Sequence, residues 1–383
     1  MRLIYKIIVV LIILIMLSNV YVFAEDETIT VKAKVIGTGE VYDEEVGNVS
    51  SKYQDVEVKI IEGEYKDKVF KSKYMLSMSF DSNAFAYELK DGDIVQVGIT
   101  KKGDEINVVI QTLVRYNYVI LMIIAFFGIV ILVGGIKGLK AIVALVATIL
   151  AIWFITINCI YKGYSPILMS VITSVVVIFL TFVIIGGFKK KTVTAALGTA
   201  GGVLLAGVMA IIFGNLAKLS GWTEEAAFLS MSTGTVVFNF RELLFAGIVI
   251  AALGACMDVG MSIASALDEL KEKDPDITWK DLFKSGMNIG RDVIGTMTNT
   301  LILAYVGSSL TLILVFVALN FSIETIVNKE VIAMDIISAV AGSMGVIFTI
   351  PVTAVVYALF NKNKTTYKKT PETKIDGKRT LKI

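Results

Sequence analysis

Long apolar blocks alternate with short polar segments between residues 118 and 360. An α-helix rises 1.5 Å per residue, so about 20 apolar residues cross a hydrocarbon core roughly 30 Å thick. Seven blocks reach that length, which predicts an α-helical polytopic membrane protein. The predicted spans are Tyr118–Ile136, Ala141–Ile160, Ile167–Gly187, Val193–Phe213, Leu243–Ala264, Val293–Leu319 and Ile336–Phe360.

The first 24 residues have the pattern of an export signal. Arg2 and Lys6 precede the apolar run 7–17, and Val22 and Ala24 are the small residues of a cleavage site. An uncleaved N-terminal anchor is the alternative, because residues 7–24 carry no charge. In both cases the residues that follow are predicted to be exported.

Residues 25–113 show the alternation of half-buried β-strands. Apolar and polar residues alternate over Val31–Val35 and over Val56–Ile60, a period of two that places one face in a core. Asp91-Gly92 is a turn signal between further strands. We predict an all-β domain of five or six short strands, closed as a small barrel or sandwich.

Basic residues are distributed unevenly between the predicted loops. If residues 25–113 lie outside the cell, the loops and tail on the cytoplasmic side hold 18 Lys and Arg residues, and the outer loops hold 4. Positively charged loops stay in the cytoplasm, so this distribution predicts a cell-membrane protein with a basic cytoplasmic tail, 361–383, after a helical domain, 114–360. The four outer residues are Lys162, Lys218, Arg241 and Lys329.

Composition excludes several kinds of chemistry. Hydrophobic residues make up 55% of the chain and charged residues 18%, and there is no histidine. A Ser-His-Asp triad, a Cys-His pair and an HExxH zinc site are therefore excluded within this chain. Cys159 and Cys256 form neither a CxxC motif nor a disulfide framework. The sequence predicts no catalytic residues, no metal or cofactor, and no nucleic-acid partner.

Two connections between the predicted spans are more than turns. Thr223-Glu224-Glu225 begins an apolar stretch that ends at Phe240, which predicts an outer-surface helix or a re-entrant segment. Trp279, Leu282, Phe283 and Met287 share one helical face before the sixth span. We expect that face to form an amphipathic helix at the membrane surface.

Asp258 interrupts the fifth predicted span. Counted from Leu243, it lies about 8 Å short of the inner boundary of the hydrocarbon core. A carboxylate at that depth costs on the order of 2.5–3.5 kcal/mol, so it serves either as a hydrogen-bonding contact between helices or in handling an ion or proton. Small residues share its face and would allow a neighbouring helix or a water-filled path to come close. They are Gly247, Ala251, Gly254, Ser262 and Ser265.

The sixth span opens with polar residues. Asp292, Thr296 and Asn299 share one face, which suits a cation, a proton relay or a seam of hydrogen bonds between helices. Arg291 is predicted at the depth of Asp258, and a salt bridge between the two is expected. In the fourth span, glycine and alanine recur at every fourth position, a pattern for close helix packing that includes Gly198 and Gly202.

These segments resemble the YibE/F-like family of bacterial multi-pass membrane proteins. The motifs that carry the resemblance are residues 253–259 (LGACMDV), residues 290–301 (GRDVIGTMTNTL) with 303–305 (LAY), and residues 241–244 (RELL). The exported β domain is similar to the YibE-type member. The resemblance implies a membrane location, a transport role and, as partners besides the lipid bilayer, a second copy or a second YibE/F-type subunit. It implies no particular reaction.

Three functions compete at this point. A transporter or permease would use the polar residues at bilayer depth, and its flux would depend on Asp258. A membrane scaffold or sensor would act through its outer β domain, and Asp258→Asn would be harmless. An intramembrane aspartyl protease would need Asp258 and Asp292 at one depth sharing a proton. Asp292 instead lies beside Arg291, and the GxGD pattern is missing, so no enzyme is predicted.

Overall fold

The computed structural model describes residues 29–46, 49–79, 87–102, 105–232 and 237–362. The predicted signal segment 1–24 and nearly all of the basic tail 361–383 lie outside these ranges. The chain divides into two compact units, and the boundary falls between Leu132 and Val133.

Five antiparallel strands form the sheet of the first unit, which confirms the predicted all-β domain. The alternating residues Val31, Ala33 and Val35 are buried, as are Val56, Val58 and Ile60, because the period-two pattern turns one face of each strand into the core. Along the sheet the order is β3-β2-β1-β4-β5. The strands are β1 (Ile29–Val46), β2 (Val49–Ile60), β3 (Val69–Ser79), β4 (Ile94–Lys102) and β5 (Glu105–Leu113).

The sheet curls until its two edge strands meet. Ser72 Oγ on β3 donates a hydrogen bond to Val108 O on β5 over 2.8 Å. Register shifts between Val35 and Gly37 and between Thr38 and Val41 let β1 bend and pair with both neighbours. The strand order and this closure are those of a partly open, five-stranded Greek-key barrel, the arrangement of OB-folds.

The rest of the described chain is helical. A π-helical turn, Ile152–Ile157, joins the first two helices into one continuous element. The helices are α1 (Tyr116–Ala151), α2 (Asn158–Tyr161), α3 (Pro166–Gly186), α4 (Lys190–Leu216), α5 (Glu224–Ser232), α6 (Phe240–Lys273), α7 (Trp279–Ser308), α8 (Leu310–Ala318), α9 (Ile323–Val327) and α10 (Glu330–Phe360).

Five of the described helical elements are long and apolar enough to cross a membrane: Tyr116–Tyr161, α3, α4, α6 and α10. The pair α7 and α8, bent by 55° at Ser309, meets the same criterion as a broken sixth span. The first element covers two of the predicted spans. Its backbone leaves the helical conformation at Gly135, where φ is 54°, a value that glycine tolerates readily.

Small residues bring α4 against α10 and α6. A Cβ atom added at Gly198 would collide with Thr353 Oγ1, and one at Gly202 would collide with Thr349 Oγ1, both on α10. At the far end of α4, a Cβ at Gly214 would lie 2.5 Å from the Phe245 ring on α6. These three helices therefore approach closely enough to leave no room for a side chain at the three glycine positions, as small-residue interfaces do in membranes.

The predicted amphipathic helix and the first part of the sixth span, up to Ser308, form one continuous helix, α7. Thr278 caps its start, since its side chain accepts a hydrogen bond from Asp281 N over 3.2 Å. Leu282 is fully buried, and Phe283 and Met287 pack against the core of the helical unit. The amphipathic segment therefore leads into the sixth span as predicted, with Leu282, Phe283 and Met287 packed against protein and Trp279 exposed. Its place at the membrane surface stays a prediction.

Candidate functional site

Asp258 points away from the core of the helical unit. Cys256, Val259 and Ile263 form the fully buried face of α6, and a rotation of 100° per residue puts Asp258 on the opposite side, where it is exposed. Gly247, Ala251, Gly254 and Ser262 are exposed on the same stripe. A Cβ added at Gly247 or Gly254 would meet nothing within 4 Å. In the described part of the chain, this stripe packs against no other helix.

The polar residues of α7 are exposed in the same way. A Cβ at Gly290 would collide with Ile350 of α10, so Gly290 marks the packed side of α7. Arg291, Asp292, Thr296 and Asn299 lie on the rest of its circumference and are exposed. Arg291 Nη1 donates to Asn288 Oδ1 over 3.2 Å, and Thr296 Oγ1 donates to Val293 O over 3.0 Å.

The expected salt bridge between Asp258 and Arg291 is absent from the described residues. Arg291 bonds within its own helix, and Asp258 makes no hydrogen bond or ion pair with any described residue. The two helices meet near their connection, where a Cβ at Gly286 would lie 3.1 Å from the Leu267 side chain. Farther along, α7 packs on α10 rather than on α6. The shared polar site predicted from the sequence is therefore two separate exposed faces.

Both charges nevertheless lie at similar heights along their helices. Asp258 precedes Lys273, the last residue of α6, by 15 residues, and Arg291 follows Trp279, the first residue of α7, by 12. At 1.5 Å per residue these separations correspond to about 22 Å and about 18 Å from the connected ends. The difference of about 4 Å is less than one helical turn.

A second polar site occurs where the sixth span breaks. Ser309 lies between α7 and α8, and its Oγ donates a hydrogen bond to Asp335 Oδ2 on α10. Tyr305 is half-buried beside Asp335, with its hydroxyl near Ser338. These groups border a cavity of about 150 Å³ lined mainly by apolar side chains. A carboxylate, two hydroxyl groups and a helix break thus lie together.

Sequence reasoning missed this site because Ser309 lies inside one predicted span and Asp335 lies just before the start of another. The predicted last span began at Ile336, one residue after Asp335, whereas α10 begins at Glu330. The predicted sixth span ran straight through Ser308-Ser309. The signal was that serine pair within an apolar run, followed by an acidic residue at the margin of the next block.

Two other carboxylates of the helical unit, Asp268 and Glu330, have partners in the structure. Asp268 on α6 pairs with Lys191 over 3.3 Å and accepts a hydrogen bond from Tyr357 OH over 3.0 Å. Glu330 Oε1 accepts hydrogen bonds from Ser220 Oγ over 2.7 Å and from Gly221 N over 3.1 Å. These contacts join the end of α10 to α6 and the start of α10 to the connection that follows α4. These contacts are structural, in contrast to Asp258, which has no such partner among the described residues.

The barrel carries an open groove of about 820 Å³ that is bordered by β1, β2, β3 and β5. Beside it, the rings of Tyr42 and Tyr53 lie 6.3 Å apart, and the Lys73 ammonium lies within 6 Å of both. Tyr42 and Glu44 hydrogen-bond this ammonium and raise the pKa of Lys73. The groove therefore combines aromatic and charged side chains on the barrel surface.

Comparison with known proteins identifies the helical unit. Neither the curated proteins nor the solved structures include a match to the chain. The family model of the YibE/F-like proteins matches residues 122–363, which include α6, α7 and α10 and are more than half of the chain. The chain therefore belongs to the YibE/F-like protein family.

Proposed function

We propose that this protein is a transporter, a permease for protons or small cations in the bacterial cell membrane. The observation that carries the proposal is Asp335, which lies at the break of the sixth span and is bonded to Ser309 there. Broken membrane helices free backbone and side-chain groups for ions and substrates, and transporters place their sites at such breaks.

The cost of the polar residues supports a functional role. An ionisable group inside a membrane costs at least a few kcal/mol, and such residues mark ion or proton pathways in membrane proteins. Asp335 provides a negative charge, and Ser309 and Tyr305 provide hydroxyl oxygens nearby. A positively charged cargo or coupling ion fits this set of groups better than an anion does.

The proposal includes seven spans with the barrel outside the cell. The element Tyr116–Tyr161 has 46 residues, which is about 69 Å of helix and more than twice the thickness of a bilayer core. If this element crossed the membrane once as a straight helix, half of its apolar surface would lie in water. We therefore divide the element into two spans at Gly135, where its backbone leaves the helical conformation. With α3, α4, α6, the pair α7 and α8, and α10, the total is seven.

The test is flux through purified protein in proteoliposomes. We expect wild type to carry protons, read with a trapped pH-sensitive dye, or one of Na⁺, K⁺ and small organic ammonium ions. Asp335→Asn should lower the rate at least tenfold. Glu324→Gln is the matched control, because Glu324 lies exposed on the short helix α9, and it should keep wild-type flux.

Equal flux in Asp335→Asn and wild type would contradict the assigned site. A wild-type flux no greater than that of empty vesicles, for every cargo tested, would contradict the transporter. Protein yield and gel-filtration profile distinguish a misfolded Asp335→Asn variant from an inactive one.

The barrel groove favours a second candidate, a sensor or scaffold that acts through its outer domain. Grooves on OB-type barrels bind oligosaccharides and oligonucleotides, and aromatic rings such as Tyr42 and Tyr53 stack on ligand rings. This candidate predicts silent proteoliposomes together with binding of soluble oligosaccharides to the fragment 25–115. Tyr42→Ala should weaken that binding.

A further inference from the structure

The exposed faces of α6 and α7, which pack against no other described helix, together make up what we call the polar face. It consists of Gly247, Ala251, Gly254, Asp258 and Ser262 on α6, with Arg291, Asp292, Gly295, Thr296 and Asn299 on α7. All ten residues are exposed, and a Cβ at Gly247, Gly254 or Gly295 would meet nothing within 4 Å. The described chain leaves this face uncovered.

Lipid tails cannot cover such a face. They offer no hydrogen-bond donor or acceptor, so Asp258, Arg291 and Asn299 each need a protein group or water. The small residues around Asp258 lie where a helix could approach within van der Waals contact of the α6 backbone. The polar face thus has the composition of a helix-helix interface between membrane proteins.

The charges on the face indicate which protein covers it. Asp258 and Arg291 have opposite charges and lie at nearly the same height, about 22 Å and about 18 Å from the ends that residues 274–278 connect. A two-fold axis parallel to the membrane normal keeps every residue at its own height. When α6 of one copy faces α7 of the other, such an axis brings Asp258 of one copy opposite Arg291 of the other, twice in each dimer.

We propose that a second copy of this chain covers the polar face, and that Asp258 pairs with Arg291 of the partner subunit across the interface. Each charge then gains the ion-pair partner that it lacks among the described residues of its own chain. The inference is independent of transport through the Asp335 site, because the two sites share no residue.

Disulfide cross-linking in native membranes tests the proposal. Cys159→Ala and Cys256→Ala remove the two native thiols. A chain with Gly254→Cys is then co-expressed with a chain of different length that carries Gly295→Cys. These positions lie one turn beyond Asp258 and Arg291, so the charge pair stays intact. Mild oxidation should give a covalent dimer that contains one chain of each length.

Leu204→Cys on both chains is the control. Leu204 is 69% exposed on α4 and lies about 21 Å from the start of that helix, near the height of Asp258 but away from the polar face. Oxidation of this variant should leave both chains monomeric.

Charge exchange tests the ion pair itself. Arg291→Asp alone should raise the dimer dissociation constant in mild detergent at least tenfold, measured by mass photometry. The combination Asp258→Arg with Arg291→Asp should restore at least half of the wild-type dimer fraction. Loss of a partner leaves a buried charge uncompensated, whereas exchange keeps the pair.

Three outcomes would overturn the inference. The first is no cross-link between Gly254→Cys and Gly295→Cys above the Leu204→Cys level. The second is a cross-link only to a different membrane protein, which would assign the face to another subunit. The third is a monomeric wild type in native membranes, shown by single-molecule photobleaching.

Discussion

Two glycines of α7, Gly290 and Gly307, have opposite surroundings. A Cβ at Gly290 would collide with Ile350 Cγ2, whereas a Cβ at Gly307 would meet nothing within 4 Å. Replacing glycine by alanine in a helix gains up to about 1 kcal/mol of helix propensity at either position. Their surroundings therefore decide the outcome.

We predict that Gly290→Ala destabilises the protein by about 1–3 kcal/mol, since overpacking a tight contact costs that much. Gly307→Ala should be neutral or slightly stabilising. Thermal unfolding of the purified protein in detergent, followed by loss of the monodisperse gel-filtration peak, measures both. A higher melting temperature for Gly290→Ala would show that α7 and α10 are not packed as described.

For single residues, the spacing along the sequence predicted the position of a side chain along its helix better than the side of the helix that it faces. The depth of Asp258 followed from counting residues along a helix, and the resemblance motifs lie on α6 and α7. Its orientation did not follow, because a stripe of small residues looks the same whether it faces a helix of its own chain or another molecule. Asp335 was missed because an apolar block marks only the lipid-contacting part of a helix. The helix α10 itself begins at Glu330, five residues before Asp335.

Among the elements, the barrel strands were predictable and their closure was not. Alternation over Val31–Val35 identifies the buried face of one strand, but the contact between Ser72 and Val108 joins residues 36 apart. Long-range contacts of that kind leave no local pattern in the sequence. The same holds for α7, whose continuity with the preceding amphipathic segment depends on the packing of Leu282.

In the barrel, an ion pair between Asp67 and Lys59 stabilises the connection between β2 and β3. Asp67 has a positive φ of 67° in the β2–β3 connection, and its carboxylate lies 2.8 Å from Lys59 Nζ. Hydrogen bonding with Lys59 lowers the pKa of Asp67 below its ordinary value of 3.8. The carboxylate form is therefore favoured by folding.

We expect the fragment 25–115 to fold alone, with a β-type circular dichroism spectrum, and to be more stable than its Asp67→Asn variant at pH 6. This advantage is complete above the ordinary Asp pKa and is lost as the pH falls through the lowered pKa of Asp67. Melting temperatures of both proteins between pH 2 and pH 7 measure the difference. A gap that grows toward low pH would refute the ion pair, and a helical or random-coil spectrum would refute the isolated fold.

For the whole molecule, orientation in the membrane follows from charge. The 18 basic residues on one side and 4 on the other predict that residues 25–113 lie outside and the tail inside. We predict that a reporter active only in the cytoplasm is active when fused after Ile383 and silent when fused after Thr100. The reverse pattern would invert the topology, and activity at both sites would refute an odd number of crossings.

The bend at Ser309 also bears on how the sixth span enters the membrane during synthesis. Arg291, Asp292 and Asn299 make the middle of α7 a poor substrate for the translocon, which admits helices according to their summed transfer free energy. The strongly apolar α8, LTLILVFVA, follows directly, and only the two helices together are apolar enough to span. Entry of α7 should therefore wait until α8 has left the ribosome, and charged substitutions in α8 should cause a failure of biogenesis rather than of activity.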